Sequence, residues 1–237
     1  MKPFVKKKIL GVGFSDVSET EVLEYLVKEV QKKDKKFYIV TPNPEILVLA
    51  DGDKRYKNLL NQAELALPDG VGIMWASKVL EISLKGKIAG IDLLESVCRE
   101  VSKRPITVGF LGGRPKIAER VAECLKKRYF GLKIAFFGPE IANFKTFPKC
   151  DILFVAFGSP KQEFWIQKNL KRLPVTVAIG VGGAFDMVSG EVGRAPKFVR
   201  DLGLEWLYRL IRQPWRAKRQ LSLVKFVFLV LKEKFGL

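Results

Sequence analysis

The stretch Leu65-Ala66-Leu67-Pro68-Asp69-Gly70-Val71-Gly72 joins a short apolar run to a Pro-Asp-Gly turn. The apolar run is typical of a buried strand, and proline, aspartate and glycine are the residues that form tight turns. Residues 71–80, which follow the turn, are predicted to form a helix. The turn therefore places one carboxylate, that of Asp69, at the end of a predicted strand.

The same unit of strand, polar turn and helix recurs along the chain. A strand at 37–40 leads into a helix at 44–50, for which Asn43 suits the N-cap and Pro44 the first helical position. This alternation predicts an α/β fold, with a Rossmann-like, mostly parallel sheet and helices on both faces. The other predicted elements are a strand at 9–13, a helix at 19–31, and strand and helix pairs at 63–67 and 71–80, 106–111 and 116–128, 152–157 and 161–170, and 175–180 and 184 onwards.

Polar residues follow several of the predicted strands. Because ligands of open parallel sheets bind beyond the carboxyl ends of the strands, these residues are expected to gather along one edge. Asp69 could act there as a general base, and it could equally cap the helix that follows. Thr41 and Asn43 are likewise open to a functional role or a helix-capping role, and capping is favoured for them. The residues expected at this edge are Thr41, Asn43, Asp69, Arg114, Ser159 and Gln162.

The chain of 237 residues contains no histidine and three cysteines, Cys98, Cys124 and Cys150. The lack of histidine excludes Ser-His and Cys-His nucleophile pairs, so acid and base chemistry falls to Asp, Glu, Lys or Tyr. The three scattered cysteines predict neither a disulfide framework nor a zinc cluster. The N-terminus lacks the apolar stretch of a signal peptide, so we expect a cytoplasmic protein.

Two further patterns are only weak evidence for a metal site or a nucleotide-binding site. Asp51-Gly52-Asp53 matches the D-x-D pattern by which many sugar transferases hold a metal ion, but it follows a predicted helix rather than a strand end, which favours a solvated turn. The turns at Gly112-Gly113 and Gly182-Gly183 lack a complete G-x-G-x-x-G or P-loop pattern. They still allow phosphates to approach backbone amides.

The formal charge of +17 favours an anionic partner, which could be nucleic acid, an acidic membrane surface or a phosphorylated substrate. Residues 194–237 carry 11 Lys and Arg against 3 Asp and Glu. We interpret 1–193 as an α/β catalytic core and 194–237 as a basic, amphipathic helical appendage, which Pro214 would kink or divide. One helix face would hold Arg209, Arg212, Arg216 and Arg219, opposite Leu204, Leu207 and Ile211.

The apolar run at 221–231 is shorter than the ~20 residues that span a bilayer. It would be exposed unless a membrane or another subunit covers it, and we expect it to lie at an anionic membrane surface, with homo-oligomer formation also possible. No zinc finger, RNP or helix-turn-helix pattern supports a nucleic-acid partner. A nicotinamide-dependent Rossmann enzyme is disfavoured because G-x-G-x-x-G does not follow the first strand.

Six sequence blocks occur in a specific order and cover nearly the whole chain. They are Thr41-Pro42-Asn43-Pro44-Glu45, Pro68-Asp69-Gly70, Gly158-Ser159-Pro160-Lys161-Gln162-Glu163, Gly182-Gly183-Ala184-Phe185-Asp186, Arg194-Ala195-Pro196 and Gly203-Leu204-Glu205-Trp206-Leu207-Tyr208-Arg209. Together they resemble the WecG/TagA/CpsF glycosyltransferase family, and most of all its TagA branch, the N-acetylmannosaminyltransferases of wall teichoic acid synthesis.

The resemblance implies a peripheral enzyme at the inner face of the cell membrane. Its donor would be UDP-N-acetylmannosamine and its acceptor undecaprenyl-diphosphate-linked N-acetylglucosamine, joined in a β linkage with inversion and with no cofactor or required metal. Another UDP-sugar, such as N-acetylmannosaminuronic acid or a hexose, remains an alternative donor.

The resemblance also implies roles for particular residues. Asp69 matches the family's proposed base. Where relatives carry an arginine, this chain has Lys87, which keeps the charge but loses the two-pronged geometry for binding phosphate. The substrate-contacting positions match Thr41, Asn43 and Gln162, and the arginines that would hold the diphosphate once the tail closes match Arg209, Arg216 and Arg219.

Overall fold

The computed structural model describes residues 4–141, 143–201, 203–212 and 217–237. The strands are β1 (Lys6–Ile9), β2 (Val12–Ser15), β3 (Phe37–Val40), β4 (Leu65–Ala66), β5 (Thr107–Gly112), β6 (Lys133–Gly138), β7 (Cys150–Ala156) and β8 (Val175–Gly180). The helices are α1 (Glu19–Lys32), α2 (Pro44–Gly52), α3 (Lys54–Gln62), α4 (Val71–Val79), α5 (Gly90–Val101), α6 (Ile117–Arg128), α7 (Lys161–Asn169), α8 (Ala184–Val188), α9 (Lys197–Asp201), α10 (Glu205–Arg212) and α11 (Ala217–Phe235).

Strands β3 to β8 form one parallel sheet of six strands in the order β4-β3-β8-β7-β5-β6. The centre of the sheet pairs β3 with β8, which are far apart in the chain, so the turns after β3, β4, β7 and β8 meet at one edge. The predicted parallel α/β fold is confirmed. The position of the predicted edge site follows from this strand order.

Helices cover both faces of the sheet, because side chains alternate along each strand. In β3, Tyr38 and Val40 pack into a core shared with α2, α3, α4 and α7. Ile39 points to the other face, into a core shared with α1, α5, α6 and α8. Both cores are made almost wholly of buried aliphatic and aromatic side chains, which supply the main stabilisation of the fold.

The N-terminal region differs from the predicted single strand at 9–13. The chain reverses at Leu10-Gly11, both with positive φ, so that β1 and β2 form an antiparallel hairpin with Ile9 opposite Val12. The Ser15 hydroxyl accepts a hydrogen bond from the Ala66 N–H at 3.2 Å, which attaches the hairpin to edge strand β4. The prediction of one strand was wrong because the positive φ of Leu10 and Gly11 reverses the chain inside the predicted range.

Three elements had no counterpart in the sequence interpretation: α3, α5 and β6. The D-x-D stretch lies at the junction of α2 and α3. There the Asp53 carboxylate caps α3 by accepting from the N–H groups of Arg55 and Tyr56, at 2.8 and 3.1 Å. The Asp51 carboxylate lies 3.9 Å from the Lys225 ammonium of α11. These contacts give both carboxylates a structural explanation.

The C-terminal helices pack on the α2 and α4 side of the sheet. Phe226 and Val230 of α11 are buried in the core at 2% and 0% exposure, whereas Phe228 is 64% exposed. Gly203, at φ +75°, lies so close to α4 that a Cβ there would come within 2.9 Å of Val71 Cγ1. The apolar run at 221–231 is therefore covered on one side by the protein itself and exposed on the other.

Helix α10 is described as far as Arg212 and α11 from Ala217, and Pro214, at which a kink or division of the tail is predicted, lies outside the described residues. Within the described ranges, none of the helices is both long enough and apolar enough to cross a bilayer.

Candidate active site

A cleft of about 910 Å³ opens where the carboxyl ends of β3, β4, β7 and β8 meet. Its floor is formed by the turns after these strands, and its roof by residues from α9, α10 and α11. The structure brings into this cleft the core residues that the sequence singled out. They are Thr41, Asn43, Asp69, Lys87, Ser159 and Gln162.

Asp69 is held at the cleft by backbone hydrogen bonds on both sides. Its N–H donates to the Pro42 carbonyl at 3.0 Å, and the carbonyl of Pro68 accepts from the Ile88 N–H at 2.8 Å. The N-cap position of α4 falls on Gly70, whose φ of +88° is a conformation that glycine adopts readily. The N-cap residue is thus Gly70 rather than Asp69, which precedes it at the mouth of the cleft.

Thr41 and Asn43 both make structural hydrogen bonds. The buried Thr41 hydroxyl donates to the Gly180 carbonyl at 3.3 Å and so links the ends of β3 and β8. Asn43 caps α2, because its Oδ1 accepts from the Ile46 N–H at 3.1 Å. The cap engages only the oxygen of the carboxamide, so the Asn43 amide nitrogen is the group that can donate to a ligand.

Gln162 is nearly fully buried, and its carboxamide is engaged at both ends. Its Oε1 accepts from the Gly182 N–H at 3.0 Å. Its Nε2 donates to Glu163 Oε1 at 2.7 Å and to the Ser159 hydroxyl at 3.3 Å. Gln162 therefore connects α7 to the glycine turn after β8, and it shapes the floor of the cleft through that turn.

A buried carboxylate behind Gln162 was missed by the sequence interpretation. Glu163 is 1% exposed and accepts hydrogen bonds from the Ser159 hydroxyl at 2.7 Å and the Tyr56 hydroxyl at 3.1 Å. Burial raises the pKa of Glu163 more than these hydrogen bonds lower it. Glu163 lies in a quoted sequence block, but only the packing of α3 against α7 reveals that it is buried.

The positive groups at the cleft come from two regions. Lys87 is an exposed side chain at the cleft wall. Arg200 of α9 lines the roof, and its Nε is buried without a hydrogen-bond partner among the residues that the structure describes. Arg200 was also missed by the sequence interpretation, although it lies in the basic segment after Arg194. An unpaired buried guanidinium N–H is costly unless a ligand satisfies it.

The structure describes the other predicted cationic residues only in part. Arg209 and Arg219 belong by their backbones to α10 and α11, and their side chains lie outside the described part of the structure. Arg216 lies outside the described residues altogether. Arg114 follows β5 at the carboxyl edge of the sheet, as expected, but it does not line the cleft. Its guanidinium instead contacts the carboxylates of Glu191 and Asp186 at 3.1 and 3.8 Å.

One wall of the cleft is apolar, and we call it the apolar trough. Phe226 packs against Trp75, with the ring centroids 6.3 Å apart. The apolar trough is formed by residues of α2, α4 and α11, which are Leu49, Trp75, Leu223, Phe226 and Val227.

In the described ranges, no group of three or more His, Cys, Asp or Glu side chains is arranged to hold a metal ion.

Comparison with known proteins gives a consistent result over the length of the chain. The model of the "Glycosyl transferase WecG/TagA/CpsF family" matches residues 7–237. A protein from Bacillus spizizenii is 36% identical over 96% of this chain and 91% of its own length, and one from Bacillus subtilis is 34% identical over 95% and 91%. A protein from Staphylococcus aureus is 32% identical over 97% of this chain and 93% of its own. All three are named N-acetylglucosaminyldiphosphoundecaprenol N-acetyl-beta-D-mannosaminyltransferase.

Proposed function

Because this chain belongs to the WecG/TagA/CpsF glycosyltransferase family, we propose that it transfers N-acetylmannosamine from UDP-N-acetylmannosamine to undecaprenyl-diphosphate-linked N-acetylglucosamine, forming a β linkage. The names of the three relatives support the acceptor and the transferred sugar. The observation that carries the proposal is the composition of one cleft. It combines the Asp69 carboxylate, the cations Lys87 and Arg200, and an apolar wall.

The proposed reaction is a single in-line displacement with inversion. A hydroxyl oxygen of the acceptor sugar attacks the anomeric carbon of the donor, and the proton of that hydroxyl moves to the Asp69 carboxylate. The bond from the anomeric carbon to the diphosphate oxygen breaks, and UDP leaves with the electron pair from the opposite face. Asp69 suits this role because the backbone bonds of Pro68 and Asp69 fix it beside the cleft.

The departing diphosphate gains negative charge, which fixed cations can stabilise in a site shielded from water. Arg200 and Lys87 are the described side chains placed to do so, and Arg209, Arg216 and Arg219 are proposed to join them. Lys87 offers a point charge, whereas an arginine would offer two parallel hydrogen bonds to a phosphate. Gln162 contributes by holding the Gly182 turn, and Thr41 and Asn43 by shaping the edge at β3.

We propose that the protein binds the cytoplasmic face of an anionic membrane through residues 194–237. The basic composition of this appendage supports attraction to acidic lipids, and the outer face of α11 presents apolar side chains such as Val224 and Phe228. Residues 1–193 would then form the catalytic core, which the appendage completes from above. Self-association through the same apolar face stays a prediction.

A transfer assay with the full chain tests the proposed function. A polyprenyl-diphosphate N-acetylglucosamine acceptor is incubated with a panel of UDP-sugars, and products are identified by mass and by the configuration of the new linkage. We expect transfer of N-acetylmannosamine in β linkage. Preference for another UDP-sugar would replace the proposed donor, and the absence of transfer from any donor would reject the reaction.

A further inference from the structure

The polar and apolar parts of the cleft lie at different distances from Asp69 along two helices. Helix α2 starts at the site, where Asn43 caps it, and Leu49 follows six residues on, about 9 Å along the axis at about 1.5 Å per residue. Helix α4 starts directly after Asp69-Gly70, and Trp75 lies about one turn further on. The polar side chains Asn43 and Asp69 therefore lie just before these helices, and the large apolar side chains Leu49 and Trp75 lie further along them.

Helix α11 closes the apolar trough from above. Phe226 is buried against Trp75, and Leu223 and Val227 lie on either side of it in the sequence and line the same cleft. Among the α11 side chains that the structure describes, Ser222 is the only polar one that lines the cleft. Leu49 and Trp75 remain 44% and 37% exposed within this lining. Partly exposed large apolar side chains in a groove are typical of a site for an apolar ligand.

We propose that the apolar trough binds the isoprenoid carbons next to the diphosphate of the lipid-linked acceptor. This inference rests on the proposed function. In such an acceptor, one sugar ring and two phosphates separate the reacting hydroxyl from the hydrocarbon. With the hydroxyl at Asp69, the sugar ring and the two phosphates of the acceptor extend through the polar part of the cleft, and the hydrocarbon begins where the trough begins.

The acceptor's hydrocarbon is the expected occupant of the trough because the trough continues from the polar part of the cleft. A soluble sugar nucleotide has no hydrocarbon to place against Leu49 and Trp75, whereas the acceptor carries its hydrocarbon into any complex that reacts. The trough gives the protein a way to select an acceptor by its lipid independently of the bilayer, because burial of isoprenoid carbon against these side chains is favourable in water. An acyl chain of the membrane, or α11 of a second copy, would be a different occupant.

Binding of two small diphosphates to the full chain tests the trough without any transfer reaction. Farnesyl diphosphate and methyl diphosphate have the same charged group and differ in hydrocarbon, and their Kd values can be measured by calorimetry below the micelle concentration and without vesicles. We expect the wild-type protein to bind farnesyl diphosphate at least about tenfold more tightly. A Kd ratio near one would overturn the proposal.

Substitutions in the apolar trough test whether the hydrocarbon of farnesyl diphosphate binds there. Trp75→Ala and Leu49→Ser are each expected to reduce the Kd ratio at least threefold, and since both side chains are partly exposed, circular dichroism should confirm that the variants fold. The control is Phe137→Ala in β6, at the sheet edge opposite β4, which removes a 48% exposed aromatic side chain and should leave the ratio unchanged. An unchanged ratio in both trough variants, or a loss caused by Phe228→Ser instead, would place the hydrocarbon elsewhere and overturn the proposal.

The proposed reaction and the assignment of the trough can be rejected independently of each other. If no UDP-sugar supports transfer, the proposed reaction is rejected, and the Kd ratio still decides whether the trough binds isoprenoid diphosphates. If transfer occurs but the Kd ratio is near one, the reaction stands and the trough assignment is rejected.

Discussion

The carboxamide oxygen of Gln162 accepts a hydrogen bond from the Gly182 N–H at 3.0 Å, across twenty positions of sequence. This contact connects the start of α7 with the turn after β8, and both line the cleft. The amide nitrogen of Gln162 donates to the Glu163 carboxylate and the Ser159 hydroxyl. The shape of the cleft floor therefore depends on a side chain that is itself almost wholly buried.

Replacement of Gln162 by leucine should destabilise the protein and impair transfer. The change leaves the Gly182 N–H without its partner and removes one of the hydrogen bonds to the Glu163 carboxylate. A buried unpaired polar group costs about 1–3 kcal/mol. The free energy of unfolding in denaturant measures the effect. The control is Gln167→Leu on the same helix, whose hydrogen bond to Gln62 is exposed. An equal loss in both variants would contradict the role given to Gln162.

The buried Glu163 carboxyl should make stability depend on pH. Burial raises its pKa above the ordinary value of 4.5, so the folded state holds this proton at a pH where the unfolded state has released it. Its contribution to stability is fully present below pH 4.5 and is lost as the pH rises through the folded pKa. Compared with Glu163→Gln, the wild-type protein should therefore lose unfolding free energy as the pH rises through this window. A constant difference between the two proteins, with Glu191→Gln as the surface control, would argue against a raised pKa.

Asp69→Asn should keep the fold and lose most transfer activity. The amide has the shape of the carboxylate but cannot accept the proton, and general base catalysis contributes typically about 10²–10⁴-fold in rate. Steady-state rates with donor and acceptor measure the effect. Asp51→Asn is the matched control, because it removes a carboxylate of the D-x-D stretch and should retain activity. Undiminished turnover in Asp69→Asn would exclude this residue as the base.

Arg200→Gln should weaken both donor binding and turnover, because the diphosphate loses a cation in a partly buried site. We expect kcat/KM for the donor to fall by about 10- to 100-fold, which corresponds to about 1.4–2.7 kcal/mol. Arg120→Gln makes the same change of charge at a surface ion pair with Glu191, outside the cleft lining. If both variants lose the same activity, the effect is one of net charge and Arg200 has no specific role.

Two phenylalanines of α11 test whether the tail docks on the core. Phe226→Ala should lower the free energy of unfolding by about 3–5 kcal/mol, because it leaves a cavity against Trp75 and the α2 side of the sheet. Phe228→Ala removes the same ring from the exposed face and should change it by less than about 0.5 kcal/mol. Denaturant unfolding compares them directly. Equal small effects would mean that α11 is not part of the folded core in solution.

The residues alone were enough to predict the parallel α/β fold and the edge at which the candidate site lies. Local signals were sufficient there: the cap at Asn43, the proline after it and the Pro-Asp-Gly turn each fix the backbone within a few residues. A parallel sheet then brings the ends of its strands to one edge, so Thr41, Asp69 and Gln162 could be placed in one region before any contact was known.

Contacts between distant segments determine which side chains are buried and which lie side by side, and these could not be predicted. The paired carboxamide of Gln162, the buried carboxyl of Glu163, the buried Nε of Arg200 and the division of α11 into a packed and an exposed face all depend on contacts between distant segments. Sequence periodicity reports which residues are apolar, but burial and hydrogen bonding depend on the neighbouring element, and the order of the strands in the sheet selects that neighbour.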